Sequence, residues 1–332
     1  MALINTTSEI KAYIGRAVNK SLDFENGMKP FVEMAYEAYL RPAFGDEFLD
    51  WLQEEMAGTP SADANAILPF IQRPLAWYAY LRRLEIGLGQ DGDNGFEEIA
   101  SDKTMQPRMW VFNKRMDAAQ RNAAEALEQA LAYLYKNKAN YEAWTESSNY
   151  TDYIKLFVNN GTAMKVYLPQ TSGSYRLFLT LRNYFNEAQN TKVADIMGAE
   201  QYASLQTKLS AGTNLTSYET ALLTAAAKAV AKVGYAESIP HLNIIQTDGG
   251  ALRIISDYDG IINSQAATPK QIDYIQEKAT TEANAALNEL KKYLIANALN
   301  LPIYADSAAY EAVNPFKLPD NTAYKGVFRF RR

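Results

Sequence analysis

Residues 119–165 and 279–325 align without a gap at a constant offset of 160, and thirteen of the 47 pairs are identical. The identities include Ala119/Ala279, Ala123/Ala283, Ala126/Ala286, Leu127/Leu287, Tyr133/Tyr293, Leu134/Leu294, Asn137/Asn297 and Asn140/Asn300. Beyond the helix they continue in Ser147/Ser307, Tyr150/Tyr310, Thr162/Thr322, Ala163/Ala323 and Lys165/Lys325. The match therefore reads YLxxNxxN at a helix end, then SxxY, then TAxK. Two amphipathic helices of similar composition share Ala and Leu for trivial reasons. They do not share polar turn residues in one order, so the chain contains one unit twice.

The match extends towards the N-terminus with a shrinking offset. Asp93, Gly95, Ile99 and Ser101 pair with Asp248, Gly250, Ile254 and Ser256, and further up Ala35, Gly45, Glu47 and Leu52 pair with Ala188, Gly198, Glu200 and Leu205. The expected organisation is a first helical unit over 1–168, a short polar linker at 169–174, and a second unit over 175–332. At 332 residues the chain is long enough for two such units, each with its own core.

Local patterns predict a mainly α fold with small β-hairpins. Thr6-x-x-Glu9 and Thr216-x-x-Glu219 have capping-box spacing ahead of apolar periodic runs, so helices begin there. Helices are expected near 6–19, 25–41, 45–57, 63–86 and 107–137, then near 175–188, 198–209, 216–233 and 269–298. Pro74 is expected to kink or divide the fourth. The repeated helix carries an Ala-rich stripe that lets a neighbouring helix approach closely. Gly92-Asp93-Asn94-Gly95 and Asp248-Gly249-Gly250 are hairpin-type turns, and Asn159-Asn160-Gly161-Thr162 and Pro319-Asp320-Asn321-Thr322 suggest a further hairpin in each half.

Motifs that carry chemistry are thin. Gly87-x-Gly89-x-x-Gly92 has the spacing of a dinucleotide loop, but it follows a helix where a phosphate cradle needs a strand. Asp91-x-Asp93 opens like a calcium loop, but Gly95 takes a ligand position and Asp102 replaces the bidentate Glu. His241 is the single histidine and there is no cysteine, which removes disulfides, thiolate sites and multi-His metal sites. His241 reads as a structural or surface residue just ahead of the second hairpin. The acidic pairs Glu54-Glu55 and Glu97-Glu98 read as solvated faces, so no residue is expected to be catalytic, to bind a cofactor or to hold a metal, and the chain is read as a non-enzyme.

Composition narrows the partners. A net charge of −5 argues against a basic footprint for duplex DNA, and there is no apolar run long enough to span a membrane. The first residues, MALINTTSEI, do not read as a secretory signal. Twenty-two tyrosines serve either as anchors in protein interfaces or as stacking platforms for sugars. The C-terminal VFRFRR interleaves apolar and basic residues, and Val327, Phe328, Arg329, Phe330 and Arg331 are expected to form an interface strand.

Residues 24–52, FENGMKPFVEMAYEAYLRPAFGDEFLDWL, together with the Gly turn and the YLxxNxxN helix end of residues 119–144, resemble the helical head–tail connector proteins of tailed phages. The variant most similar is the larger one of phages and prophages of gut Bacteroidales, crAss-like phages included. The resemblance implies a virion protein assembled in the bacterial host cytoplasm, forming a homo-oligomeric ring, commonly of about twelve subunits. Such a ring docks under the portal protein, offers a platform to the next neck or tail protein, and lets DNA pass without specific binding. It implies no cofactor and no membrane. The chain departs from the short connector in being doubled and in carrying hairpins and the VFRFRR end. Two other readings stand beside it: a surface glycan-binding helical protein and an unspecified cytoplasmic scaffold.

Overall fold

The structure is a computed structural model, and it describes residues 3–15, 23–86, 89–92, 95–98, 109–245, 253–256, 263–266 and 269–313. Among the described residues it is mainly helical, with two small antiparallel hairpins. The chain divides into two compact units. The first holds Met1–Tyr153, Asn160–Thr180 and Ile244–Leu252, and the second holds Ile154–Asn159, Leu181–Asn243 and Arg253–Arg332.

In the first unit α1 (Thr7–Ile14) starts from Thr6, whose hydroxyl accepts from the Glu9 N–H while the Glu9 carboxylate accepts from the Thr6 N–H. This is the reciprocal capping box that the spacing predicts. Next come α2 (Phe24–Gly27), α3 (Lys29–Ala35), a π-helical turn (Tyr36–Leu40) and α4 (Arg41–Phe44), then α5 (Asp46–Ala57) and α6 (Ala62–Ile86). β1 (Gly89–Gly92) and β2 (Gly95–Glu98) pair antiparallel with Gly92 opposite Gly95. α7 (Met109–Lys136) returns along α6. A 3₁₀ turn (Lys138–Asn140), α8 (Glu142–Thr145) and α9 (Ser148–Ile154) follow.

α6 and α7 form the backbone of this unit, and α3 also packs on α6. Phe70 stacks on Tyr133 at 4.1 Å, Arg73 donates to Gln129 at 3.1 Å, and Asn140 donates to Asp63 at 3.3 Å, so the two helices run antiparallel. Ala119, Ala123, Ala126 and Ala130 are buried; small side chains on this stripe bring the helix axes close. α6 is one helix through Pro69 and Pro74, so Pro74 does not divide it. Each proline removes one helical hydrogen bond, and burial of Ile67, Ile71, Pro74, Leu75 and Ala79 outweighs that local loss.

The second unit repeats the first. A π-helical turn (Gln189–Val193), α12 (Ala194–Met197) and α13 (Ala199–Ser210) correspond to the π turn, α4 and α5 at an offset of 153 throughout. α14 (Ser217–Ile245), α15 (Pro269–Ala296), a 3₁₀ turn (Ala298–Asn300), α16 (Pro302–Ala305) and α17 (Ala308–Val313) correspond to α6 to α9. Lys228 bonds Glu289 at 2.6 Å and Lys232 bonds Glu282 at 2.7 Å, so α14 and α15 are also antiparallel. β3 (Arg253–Ser256) and β4 (Asn263–Ala266) pair with Ser256 opposite Asn263. Asp248-Gly249-Gly250 lies ahead of β3 in the chain, so it does not join these strands, and it falls outside the described residues.

Two further expectations are corrected here. Asn159-Asn160-Gly161-Thr162 is no hairpin turn: Asn160 caps α10 (Gly161–Tyr167), its side chain accepting from the Ala163 N–H at 2.8 Å. The stretch at 169–174 is a fastened turn. Pro169–Thr171 is 3₁₀, and Ser174 caps α11 (Tyr175–Ala188), donating its hydroxyl to Glu128 at 3.0 Å and accepting from the Leu177 N–H at 3.1 Å. The division into units falls after Thr180, within α11.

α1 and α10 also begin alike, at an offset of 154. Each has a polar cap, Thr6 or Asn160, bonded to the third residue on. Leu3 and Ile4 ahead of one cap and Phe157 and Val158 ahead of the other are buried, as are Ile10 and Ile14, Met164 and Leu168. Lys11/Lys165 and Tyr13/Tyr167 are identical. We call this capped segment the lead-in.

At the start of α14 the capping box of Thr216 and Glu219 is present, and Lys208 binds the nearly buried Glu219. The Lys208 ammonium holds the Glu219 carboxyl below the usual carboxylate range. A depressed folded-state pKa contributes stability above the unfolded value of about 4.3 and loses it as pH falls through the folded value. Lys208→Met is therefore expected to cost about 1 kcal/mol at pH 7. Urea titrations followed by circular dichroism should show that gap closing as pH falls below about 4.

Candidate functional site

The residues that the two halves share converge on one junction in each unit. At the end of α7, Asn137 Nδ2 donates to the Tyr133 carbonyl at 2.9 Å; at the end of α15, Asn297 repeats the bond to Tyr293 at 2.9 Å. Asn140 and Asn300 donate their backbone N–H to the Asn137 and Asn297 carbonyls, both at 2.9 Å. Ser147 Oγ donates to the Trp144 carbonyl at 2.7 Å and accepts from the Tyr150 N–H at 3.2 Å. Ser307 does the same with Tyr304 at 2.6 Å and Tyr310 at 3.3 Å. In YLxxNxxN and SxxY, the side chains of Asn137 and Ser147, like those of Asn297 and Ser307, thus satisfy backbone groups at a helix end and in the turn after it.

Against this turn lies the Gly turn. Gly45 has φ +80 and Gly198 φ +79, and a Cβ added to them would lie 2.9 Å from Asn149 Nδ2 and 3.1 Å from Ser307 Oγ respectively. Glu47 accepts from the Ser148 N–H at 3.3 Å and its hydroxyl at 3.0 Å. Its own backbone N–H first, and then Ser148, hold its carboxyl below the usual range. Gly45/Gly198 and Ser147/Ser307 are identical because they build this junction, whereas the Glu47 bond to Ser148 belongs to the first unit, since position 308 is Ala. The arrangement is one of helix ends and caps.

Around it the first unit packs rings. Trp144 meets Phe48 at 6.1 Å, Tyr135 at 5.8 Å and Tyr150 at 5.9 Å. Among the described residues seven tyrosines, at 36, 78, 80, 141, 150, 153 and 304, are buried. Much of the tyrosine excess therefore serves the cores, which neither the interface nor the sugar reading anticipates. Trp144 Nε1 and its counterpart Tyr304 Oη are buried without a hydrogen-bond partner. An unsatisfied buried polar atom costs about 1–3 kcal/mol. Tyr304→Phe is accordingly expected to hold or raise the stability of the second unit by up to about 1 kcal/mol, read as the shift in denaturation midpoint. A clear loss would mean that the hydroxyl has a partner.

Gly89–Gly92 is a strand that pairs with Gly95–Glu98. His241 lies inside α14, which continues through Pro240, and not in a loop ahead of the hairpin. It is exposed, with its ring 5.9 Å from Tyr184. Glu55 accepts from the Ser61 N–H at 2.7 Å, just ahead of α6. Among the described residues no group of three His, Cys, Asp or Glu side chains could hold a metal ion, and no helix is long and apolar enough to cross a membrane. Val327, Phe328, Arg329, Phe330 and Arg331 lie outside the described residues.

The surfaces of the two halves differ where the framework agrees. Trp110, 57% exposed, has Lys114 one turn on, with its ammonium 5.5 Å from the ring. In the second half Lys270 and Tyr274, the latter 67% exposed, take these positions in reverse order. Ala139 and Ala143 become Leu299 and Ile303, and Leu299 is 98% exposed.

A family model described as a family of unknown function, DUF6712, matches residues 36–154 and again residues 191–314, well over half of the chain. The chain belongs to this family. The DUF6712 matches run from the π-helical turn to α9 in the first half and from within the π-helical turn to α17 in the second, which confirms the duplication and leaves the lead-ins outside the matched regions. No curated protein and no solved structure matches the chain.

Proposed function

We propose that this DUF6712 protein is a structural virion protein, a head–tail connector or neck ring subunit that joins the portal to the next neck or tail component and lines the DNA channel. It acts by assembly, without catalysis or a cofactor. The observation that carries this reading is the contrast between the halves. Their identical residues make internal hydrogen bonds and the Gly turn, whereas their exposed residues diverge at Trp110/Lys270, Lys114/Tyr274 and Ala139/Leu299. A doubled framework with two different surfaces suits a subunit whose halves meet different neighbours in a closed ring. The sequence resemblance over residues 24–52 and 119–144 supplies the phage context.

Negative-stain microscopy and native mass spectrometry of the purified chain, alone and mixed with a portal ring, test the reading. A closed ring of about a dozen subunits is the expected result. A strictly monomeric protein that also leaves the portal ring unbound would overturn it.

A further inference from the structure

The end of α15 presents an apolar patch with a basic rim. Ile295, Leu299 and Ile303 are 40%, 98% and 37% exposed. In the first half the last two positions are Ala139 and Ala143, and the same helix end and turn form there, so the junction does not need a large side chain at Leu299. Lys291 and Lys292 stand four and three residues ahead of Ile295, on its face of the helix, and both are exposed. Lys228 and Lys232 bond Glu289 and Glu282, but Lys291 and Lys292 hold no ion pair among the described residues. The counterpart of Lys291 is Leu131, which is buried. Patch and rim therefore belong to the second half alone.

The first half has the opposite character on α3, the π turn and α5. Glu33, Glu37, Asp46, Asp50 and Glu54 are exposed, and at the offset of 153 the second half has Asn186, Asn190, Ala199, Ala203 and Thr207. The π turn, the Gly turn and the helix after it form in both halves, so the fold does not need these carboxylates. Arg41 bonds Glu37 and Asp46, which leaves an acidic excess. Burial first, and then the Asp50 carboxylate, push the Tyr36 hydroxyl up, with Arg41 opposing and Glu37 and Asp46 adding, so these charges surround one spot. Met34, 44% exposed, stands between Glu33 and Glu37 in the chain, and its counterpart is Glu187. Residues 1–168 hold 17 basic and 23 acidic side chains, whereas residues 169–332 hold 16 and 15, so the acidic excess lies wholly in the first half.

We propose that copies of this chain associate head to tail, the patch of Ile295, Leu299 and Ile303 in one copy docking on the acidic face around Met34 in the next. Charge complementarity selects a second copy as the occupant. Each surface departs from the shared framework in one half only, and the two departures have opposite sign. Burial of Leu299 against Met34 removes apolar surface from water, while Lys291 and Lys292 opposite Glu33 and Asp50 steer the encounter and fix its register. Because each copy carries one of each surface, the contact is heterologous, and such contacts close into a ring where the rotation allows. Closure rests on the connector reading above, for which this contact is the joint between neighbours.

Sedimentation velocity of the full chain tests it with two charge-reversed variants, Lys291→Glu with Lys292→Glu, and Glu33→Lys with Asp50→Lys. All four positions are exposed, so both variants are expected to fold, which circular dichroism checks. The wild type is expected to assemble, and each variant alone to need at least about tenfold more protein to do so. An equal mixture of the two variants is expected to assemble again, because every contact between unlike copies then joins opposite charges. Wild-type assembly that neither variant weakens would overturn the contact and leave the connector reading standing. Assembly lost in the variants and not restored by mixing would do the same. A monomeric wild type also overturns the contact, whereas the connector reading falls only if that monomer leaves the portal ring unbound as well.

Discussion

Replacing Trp144 with alanine will destabilise the first unit by about 3–5 kcal/mol, the range for removing a large aromatic side chain from a close-packed core. Trp144 is fully buried and packs against Phe48, Tyr135 and Tyr150, so no single neighbour can collapse into the space. Its indole N–H has no partner, so the substitution also removes an unsatisfied donor, and the loss should fall towards the lower half of that range. All four tryptophans, at 51, 77, 110 and 144, lie in the first unit. Fluorescence therefore reports that unit alone, and the three that remain in the variant will follow its unfolding. The expected outcome is a lower denaturant midpoint by fluorescence. A shift worth less than about 1 kcal/mol would mean that the rings do not form one packed cluster. Phe48→Ala in a double-mutant cycle should show coupling, since the two rings touch.

The parts of the fold that were legible are those in which a residue type is required by a hydrogen bond or a backbone angle. Asn137, Ser147 and Gly45 could be recognised through their repeats because no other side chain makes the same local bond or tolerates the same φ. The capping boxes at Thr6 and Thr216 were legible for the same reason. Signals that two structures share misled. Asn160-Gly161 suits a hairpin turn and a helix start equally, and the four-residue spacing of Met164 and Leu168 decided for the helix. Asp248-Gly249-Gly250 reads as a hairpin turn, yet both paired strands lie on its C-terminal side. Pro74 marked a break that packing overrode. The lead-in was readable in Lys11/Lys165 and Tyr13/Tyr167, but its offset of 154 differs from the 160 that governs the rest, so a search at one offset passes over it. The junction residues were found without their role, because which turns meet is decided by tertiary packing.

Gly45→Ala will cost the first unit about 2–4 kcal/mol, and Gly198→Ala somewhat less in the second. Two separate effects add at Gly45. Its φ of +80 and ψ of 160 lie in a region that only glycine enters readily, which alone is worth about 1–3 kcal/mol. A Cβ there would also stand 2.9 Å from Asn149 Nδ2, inside contact distance, on the turn whose Ser148 is bonded to Glu47. At Gly198 the backbone angles are nearly the same, φ 79 and ψ 142, but the nearest atom is Ser307 Oγ at 3.1 Å, so strain dominates. The second substitution separates the two effects. Asn149→Ala removes the close contact, so Gly45→Ala made in that background should retain the strain and lose the clash. If the double variant is no more stable than Gly45→Ala, the contact contributes nothing and the backbone angle accounts for the whole loss. Gly15 supplies the converse control, since its φ is +71 but an added Cβ meets nothing within 4 Å; Gly15→Ala should show backbone strain alone. Unfolding followed by tryptophan fluorescence should move with Gly45→Ala and stay in place with Gly198→Ala, while circular dichroism detects both. That outcome requires each Gly turn to hold its own unit together, which is the role the shared residues of the two halves have in the junction.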